Sequence, residues 1–159
     1  MRNQRVVTHK KKLDALFDYI KELRGLNNLQ IESQWAIYLC IRVSGFLEVS
    51  IRSIYVNYCQ DKSHPNITRY IGDSFQGRRS QNMKPKNILD IAGSFNPEWE
   101  NELSNYISNC GRKEAIESVI NIRNSASHGG DQGVTYTNAK DYYEKIWDVI
   151  KFIEAQCQK

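Results

Sequence analysis

The sequence predicts an all-α domain organised around one long helix. Three observations carry that expectation: apolar residues recur at helical spacing in every long segment, strand-like alternation is almost absent, and Gly, Pro, Thr and Asn fall where helices start and stop. With 159 residues and 40% apolar composition, the chain can fill a single core, so it reads as one domain over 1–159.

Taken in order, the first helix is expected from about Thr8, as its N-cap, to Arg24, after a basic segment at about 1–8. It buries Leu13, Leu16, Phe17, Ile20 and Leu23 and stops at Gly25. The second and longest runs from Leu29 to Cys59, and a short helix follows Pro65 up to about Phe75. Residues 76–84, with Gly77, Arg78, Arg79, Ser80 and Asn82, read as a mobile basic loop. Pro85 and Pro97 each suit the first turn of a helix, which predicts helices near 85–92 and 97–109, the latter capped by Asn96. Gly111 restarts the chain into "RKEAIESVINIRNSAS", and Gly129-Gly130 halts it. Thr137 or Asn138 then caps a final helix to about Gln156, with Tyr142, Tyr143, Ile146, Val149, Ile150 and Ile153 facing inward.

Composition excludes several classes of function. No run approaches the ~20 apolar residues of a membrane span, and the N-terminus leads into an amphipathic segment instead of a signal-like apolar stretch. A cytoplasmic protein without a membrane partner is therefore expected. Cys40, Cys59, Cys110 and Cys157 form no C-x-x-C pair and read as reduced thiols, with Cys110 the most exposed. His9, His64 and His128 are as scattered, so neither a metal site nor a cofactor is expected. The net charge of +4 is unevenly spread. Residues 1–12 hold Arg2, Arg5, Lys10, Lys11 and Lys12 with no acid, and residues 69–86 hold Arg69, Arg78, Arg79, Lys84 and Lys86 against Asp73 alone. Such asymmetry suits a polyanion such as RNA, although charge alone favours a solvated tail and loop.

Two core stripes turn polar. Along the long helix, Ile37, Ile41, Ser44, Glu48, Ile51, Tyr55 and Tyr58 put a carboxylate among apolar side chains, where it needs a cation. Either this stripe faces the core, or Trp35, Leu39, Val43, Phe46 and Leu47 do and Glu48 is solvated, within reach of Arg52 at i, i+4. In the helix before the double glycine, Ala115, Ile116, Val119 and Ile120 give way on the same face to Arg123, Asn124 and Ser127. Five residues separate Arg123 from His128, placing them roughly 140° apart about the axis and about 7.5 Å apart along it. To grip one small group they need either a distorted last turn or two copies of the helix meeting across a two-fold axis. As a third possibility, the arginine snorkels and the histidine merely caps.

The string "IRNSASHGG", Ile122 to Gly130, resembles the R-x(4–6)-H motif of the HEPN superfamily. The segments "WAIYLCIRVSGFLEVSIRSIYVNYC", "NILDIAGSFNPEWENEL" and "AIESVINIRNSASHGG" are similar, in order, to helices of the RiboL-PSP type of HEPN domain. This resemblance implies a HEPN-like antiparallel helical bundle with additional short helices. It further implies a metal-independent endoribonuclease, a toxin or antiviral-defence component whose paired motifs meet at a homodimer interface. Carried over, Arg123 and His128 are the catalytic pair, Asn124 the polar residue after the arginine, and Glu48 the acid facing the cleft, with Arg123 its partner. Ala126 and Ser127 depart mildly from the family's pattern, and Gly130 replaces the tyrosine of the H-x-Y toxin subgroup.

The residue types suit attack by a 2′-hydroxyl: imidazole exchanges protons near neutrality, and a forked, permanently charged guanidinium suits the transition-state oxygens. Arg78, Arg79, Lys84 and Lys10, Lys11, Lys12 are the candidate RNA-backbone contacts, and a tyrosine such as Tyr136 a candidate base-stacking platform. The expected partners are RNA, a second copy and a cognate antitoxin or inhibitor. A non-catalytic RNA- or nucleotide-binding or scaffolding HEPN module, or a dimeric adaptor, stays open.

Overall fold

A helix that is apolar on most of its circumference has to be surrounded, and the long second helix is. The structure, a computed structural model, describes residues 3–23, 29–77, 82–128 and 133–158, and forms seven helices with no strand among them. They are α1 (Gln4–Leu23), α2 (Leu29–Lys62), α3 (Pro65–Gly77), α4 (Pro85–Phe95), α5 (Pro97–Ile107), α6 (Arg112–Ser127) and α7 (Tyr136–Gln156). α2 packs against α1, α3, α6 and α7, while α4 and α5 pair with each other and lean on α6 and α7. Both competing stripes of α2 are therefore buried: Leu39, Val43 and Leu47 on one side, Ile37, Ile51 and Tyr55 on the other. The solvent-facing side of α2 is a third one, through Tyr38, Arg42 and Gly45.

Aromatic contacts join the elements in the core. Phe17 of α1 stacks on Tyr143 of α7 at 4.9 Å, Tyr55 of α2 on Phe95 of α4 at 4.7 Å, and Tyr106 of α5 on Phe152 of α7 at 4.1 Å. At the start of α1, Asn3 accepts from the backbone N–H of Val6 at 3.1 Å and from Ser53 Oγ at 3.1 Å, while its own N–H donates to Glu154. That anchorage lays α1 antiparallel to α2, with its first turn beside Ser53.

Several boundaries differ from expectation. α1 begins four residues before Thr8, because Asn3 is its cap; Thr8 lies inside the helix and returns its hydroxyl to Gln4 O. α2 and α3 run slightly beyond their expected ends, to Lys62 and Gly77, and α4 continues to Phe95. Thr135, and not Thr137 or Asn138, caps α7 by accepting from Asn138 N–H. Pro85 and Pro97 open α4 and α5, and Asn96 caps α5, as the sequence predicts. Arg24, Gly25, Arg78, Arg79, Gly129 and Gly130 lie outside the described residues. Between α5 and α6, Cys110 and Gly111 both take positive φ, 58° and 69°, a reversal that glycine adopts without strain. All four cysteines are free thiols; Cys40 and Cys59 are buried and Cys110 is exposed.

Asp14 ties α1 to α7. Burial works against its charge, but hydrogen bonds from Lys10 Nζ at 2.6 Å and Tyr143 Oη at 2.6 Å prevail, so its carboxyl lies below the ordinary 3.8. A depressed carboxylate stabilises the fold above its unfolded pKa, and that contribution is lost as pH falls through the folded one. Asp14→Asn is expected to lower Tm at neutral pH and to lose part of the acid-induced drop below about pH 4, checked by thermal melts from pH 2 to 7.

Candidate active site

α6 carries its core stripe, Ala115, Ile116, Val119, Ile120 and Ile122, into the bundle for about two turns. Arg123 and Asn124 continue that stripe where the helix leaves the core, and both are half-buried. Glu48, on α2, faces them with a side chain 18% exposed, too enclosed to be a merely solvated acid.

Two arginines divide the carboxylate. Glu48 Oε1 lies 3.0 Å from Nη2 of Arg52, one turn along α2, and Oε2 lies 3.9 Å from Nη1 of Arg123. The sequence expectation of an Arg123 partner holds, and the closer contact belongs to Arg52. Arg123, 37% exposed, thus keeps part of its guanidinium at the surface while its inner edge is held.

A residue that sequence reasoning left in a loop completes the grip. Asn82 Oδ1 accepts from Arg123 Nη1 at 3.0 Å, and its Nδ2 donates to Asn124 Oδ1 at 3.2 Å, so one amide spans both polar residues of the motif. Its backbone is fixed in turn: its carbonyl accepts from Lys84 N–H at 2.8 Å and from Asn87 Nδ2 at 2.7 Å. Residues 82–84 form neither helix nor strand, as a loop is expected to, and the bonds of Asn82 anchor this end of it. Met83, buried beside this amide, and Pro85, buried at the start of α4, pin the chain on either side of Lys84. That apolar–polar–apolar alternation at 83–85 was the available signal.

His128 is exposed at the C-cap of α6, its N–H donating to Ser125 O at 3.0 Å. α6 stays α-helical through Ser127, whose hydroxyl donates back to Arg123 O at 2.9 Å. Through Ser127 the helix shows no distortion that would swing the histidine towards Arg123, so the two side chains diverge by roughly 140° within one chain.

The candidate backbone contacts are dispersed. Lys84 is exposed on the rim of a groove of about 620 Å³ shared with Lys86 and Lys113, and with Asp90, Glu100 and Glu117. Lys10 is engaged by Asp14 and lies over the Trp147 ring at 5.0 Å, whereas Lys11 and Lys12 are exposed. Tyr136 is not available as a stacking platform: it is half-buried edge-on against Phe17, with its hydroxyl on Phe17 O. Among the described residues, no three His, Cys, Asp or Glu side chains are grouped to hold a metal ion, and no helix is long and apolar enough to cross a membrane.

An all-α bundle whose central helix presents an acid to the arginine of an R-x4-H string defines a HEPN-type domain. The family model described as RiboL-PSP-HEPN matches residues 8–159, and the chain belongs to that family. That membership suggests a nuclease-like or RNA-related module. No curated protein and no solved structure matches the chain.

Removing Glu48 takes a carboxylate away from the enclosed Arg52 and from the inner edge of Arg123. Glu48→Ala is expected to cost about 1–3 kcal/mol in urea unfolding, and Asn82→Ala about 0.5–1.5 kcal/mol. Because both hold Arg123, the double variant should fall short of the sum.

Proposed function

We propose that this chain is a metal-independent endoribonuclease that cuts single-stranded RNA by attack of the 2′-hydroxyl, as a homodimer whose two R-x4-H motifs share one cleft. The observation that carries this reading is the fixation of Arg123: Glu48 and Asn82 hold its inner edge and leave the rest at the surface, ready for a phosphate. In the reaction the 2′-oxygen loses its proton and bonds to phosphorus, the bond to the 5′-oxygen breaks, and that oxygen takes a proton. The products are a 2′,3′-cyclic phosphate and a 5′-hydroxyl. His128 handles one of these protons, Arg123 stabilises the charge on the phosphorane oxygens, and Asn124 adds a donor or orients its neighbour through Asn82. Glu48 acts through Arg123 as a positioning residue.

The divergence of Arg123 and His128 supports a site built from two chains, since one helix does not bring both to one phosphate. The same divergence is the observation that favours the second reading, a non-catalytic RNA- or nucleotide-binding or scaffolding module. A nuclease without metal control needs restraint in the cell, which suits a toxin or antiviral-defence component with a cognate inhibitor.

Purified dimer should cleave single-stranded RNA in excess chelator and leave 2′,3′-cyclic ends, identified by mass spectrometry. His128→Ala and Arg123→Ala should each slow cleavage by about 10²–10³-fold. Parent-like cutting by either variant would sink the catalytic assignment, and a monomer that binds RNA without cutting it would establish the second reading.

A further inference from the structure

Between α1 and α6 one face of α2 is exposed at Tyr38, Arg42 and Gly45 and part-buried at Glu48, Val49 and Arg52. Tyr38, Arg42, Gly45, Glu48, Val49 and Arg52 fall within about 120° on its helical wheel. Glu48 marks the edge turned to α6, through Arg123. At the opposite edge runs α1, antiparallel, with its first turn beside Ser53. Arg5, His9 and Lys12 follow one another at i, i+4 and i+7, within about 60° of one direction on α1.

These two helix faces form a channel of cations. Arg5 meets Val49 and Arg52 in an open cavity of about 570 Å³. One helical turn further on, Gly45 is exposed, and a Cβ there would have no atom within 4 Å. The channel is therefore open at Gly45. Beyond it, Arg42 donates to the hydroxyl of the exposed Tyr38 at 3.2 Å and lies 5.9 Å from its ring centre. Among the described residues, none of Arg5, His9, Lys12 and Arg42 makes an ion pair with an acid. The pKa of His9 is pulled below its ordinary 6.5 by partial burial first, and then by Arg5, Lys12 and Arg42, which places all three charges within electrostatic reach of the ring. Lys10, on the other side of α1, takes no part.

We propose that this α1–α2 channel, lined by Arg5, His9, Lys12, Tyr38 and Arg42, is a binding track for the phosphate backbone of single-stranded RNA that leads through Arg52 to Arg123. The proposal extends the nuclease reading of the same face. Several uncompensated cations in a row answer a polyanion, and the arginine-braced Tyr38 offers a ring on which a base can stack. A second copy of the chain is the poorer occupant, because a two-fold contact sets the same cations against one another. An acidic protein segment would satisfy the charge but leave the aromatic ring without a function.

The test uses the full chain and an uncleavable 2′-O-methyl single-stranded RNA of about 12 nucleotides, a length in the range that such tracks cover. Affinity is measured by fluorescence anisotropy over a salt series. The combined variant Arg5→Gln, Lys12→Gln, Arg42→Gln, all at exposed positions, should bind 10–100-fold more weakly, and its slope of log K against log salt should be shallower by about 2. Tyr38→Ala should lose about tenfold in affinity with an unchanged slope. A charge-matched control, Lys62→Gln, Lys145→Gln, Lys151→Gln, should change affinity by less than about threefold. An unchanged slope and affinity in the channel variant would overturn the track, as would an equal loss in the control or equal affinity for a poly-glutamate peptide. Cleavage of unmodified RNA by the parent is read separately. Parent that binds through the channel but never cuts upholds the track and overturns the nuclease; parent that cuts while the channel variant binds and cuts normally does the reverse.

Discussion

A carboxylate on a central helix sets the terms for the site. Glu48 is 18% exposed on α2, the one element that α1, α3, α6 and α7 all contact. At that depth an uncompensated negative charge costs several kcal/mol, so the surrounding helices have to bring cations to it. Arg52 comes from the same helix at the spacing of one turn, and Arg123 comes from α6. The position of α6 against α2 is thus read out chemically as the distance between a carboxylate and a guanidinium. Packing and reactivity are coupled here: the isoleucines of α6 decide where its arginine stands.

The surface beyond the core divides by charge. Acids and lysines alternate in ion pairs along α7, at Lys140–Glu144, Lys145–Asp141 and Lys151–Asp148, which leaves that face close to neutral. On the α1–α2 face Arg52 is paired with Glu48, but Arg5, His9, Lys12 and Arg42 make no such pair among the described residues, although that face belongs to the same modestly basic chain. Net charge alone conceals this difference, since the two faces add up to an unremarkable total. The regularity of α6 adds a second asymmetry. The regular helix holds Arg123 half-buried against α2 and leaves His128 exposed at its C-cap.

Much of the fold was legible because it rests on local rules. Pro85, Pro97 and Asn96 mark helix starts through backbone chemistry that tertiary packing does not override, and α4 and α5 begin where they stand. Thr8 and Thr137 misled for the converse reason: each is a sound cap, but Asn3 and Thr135 had better-placed partners, and in the case of Asn3 those partners lie 50 and 151 residues away. The misplaced charge of Glu48 announced the need for a cation, and the family resemblance implied which one on α6. Asn82 was not legible, because an amide in a polar stretch carries no periodic signal, and its importance comes from Arg123 and Asn124 some forty residues later. The aromatic given a surface role also misled: Tyr136 sits at the first position of α7 and is captured by Phe17, while the exposed Tyr38 belongs to neither of the two stripes weighed for the long helix.

The placement of Asn82 has a mechanical consequence. Five residue steps separate it from Gly77, the end of α3, and a polypeptide spans at most ~3.3–3.6 Å per residue, so the tether between them is roughly 18 Å at full stretch. α3 makes its main contacts with α2 alone, which makes it the least restrained of the helices. The far end of its leash is tied, through one amide, to the guanidinium at the centre of the site. The last link, from Asn82 to Arg123, is a hydrogen bond, so a shift of the chain at residue 82 changes the grip on that guanidinium before it changes anything in the core.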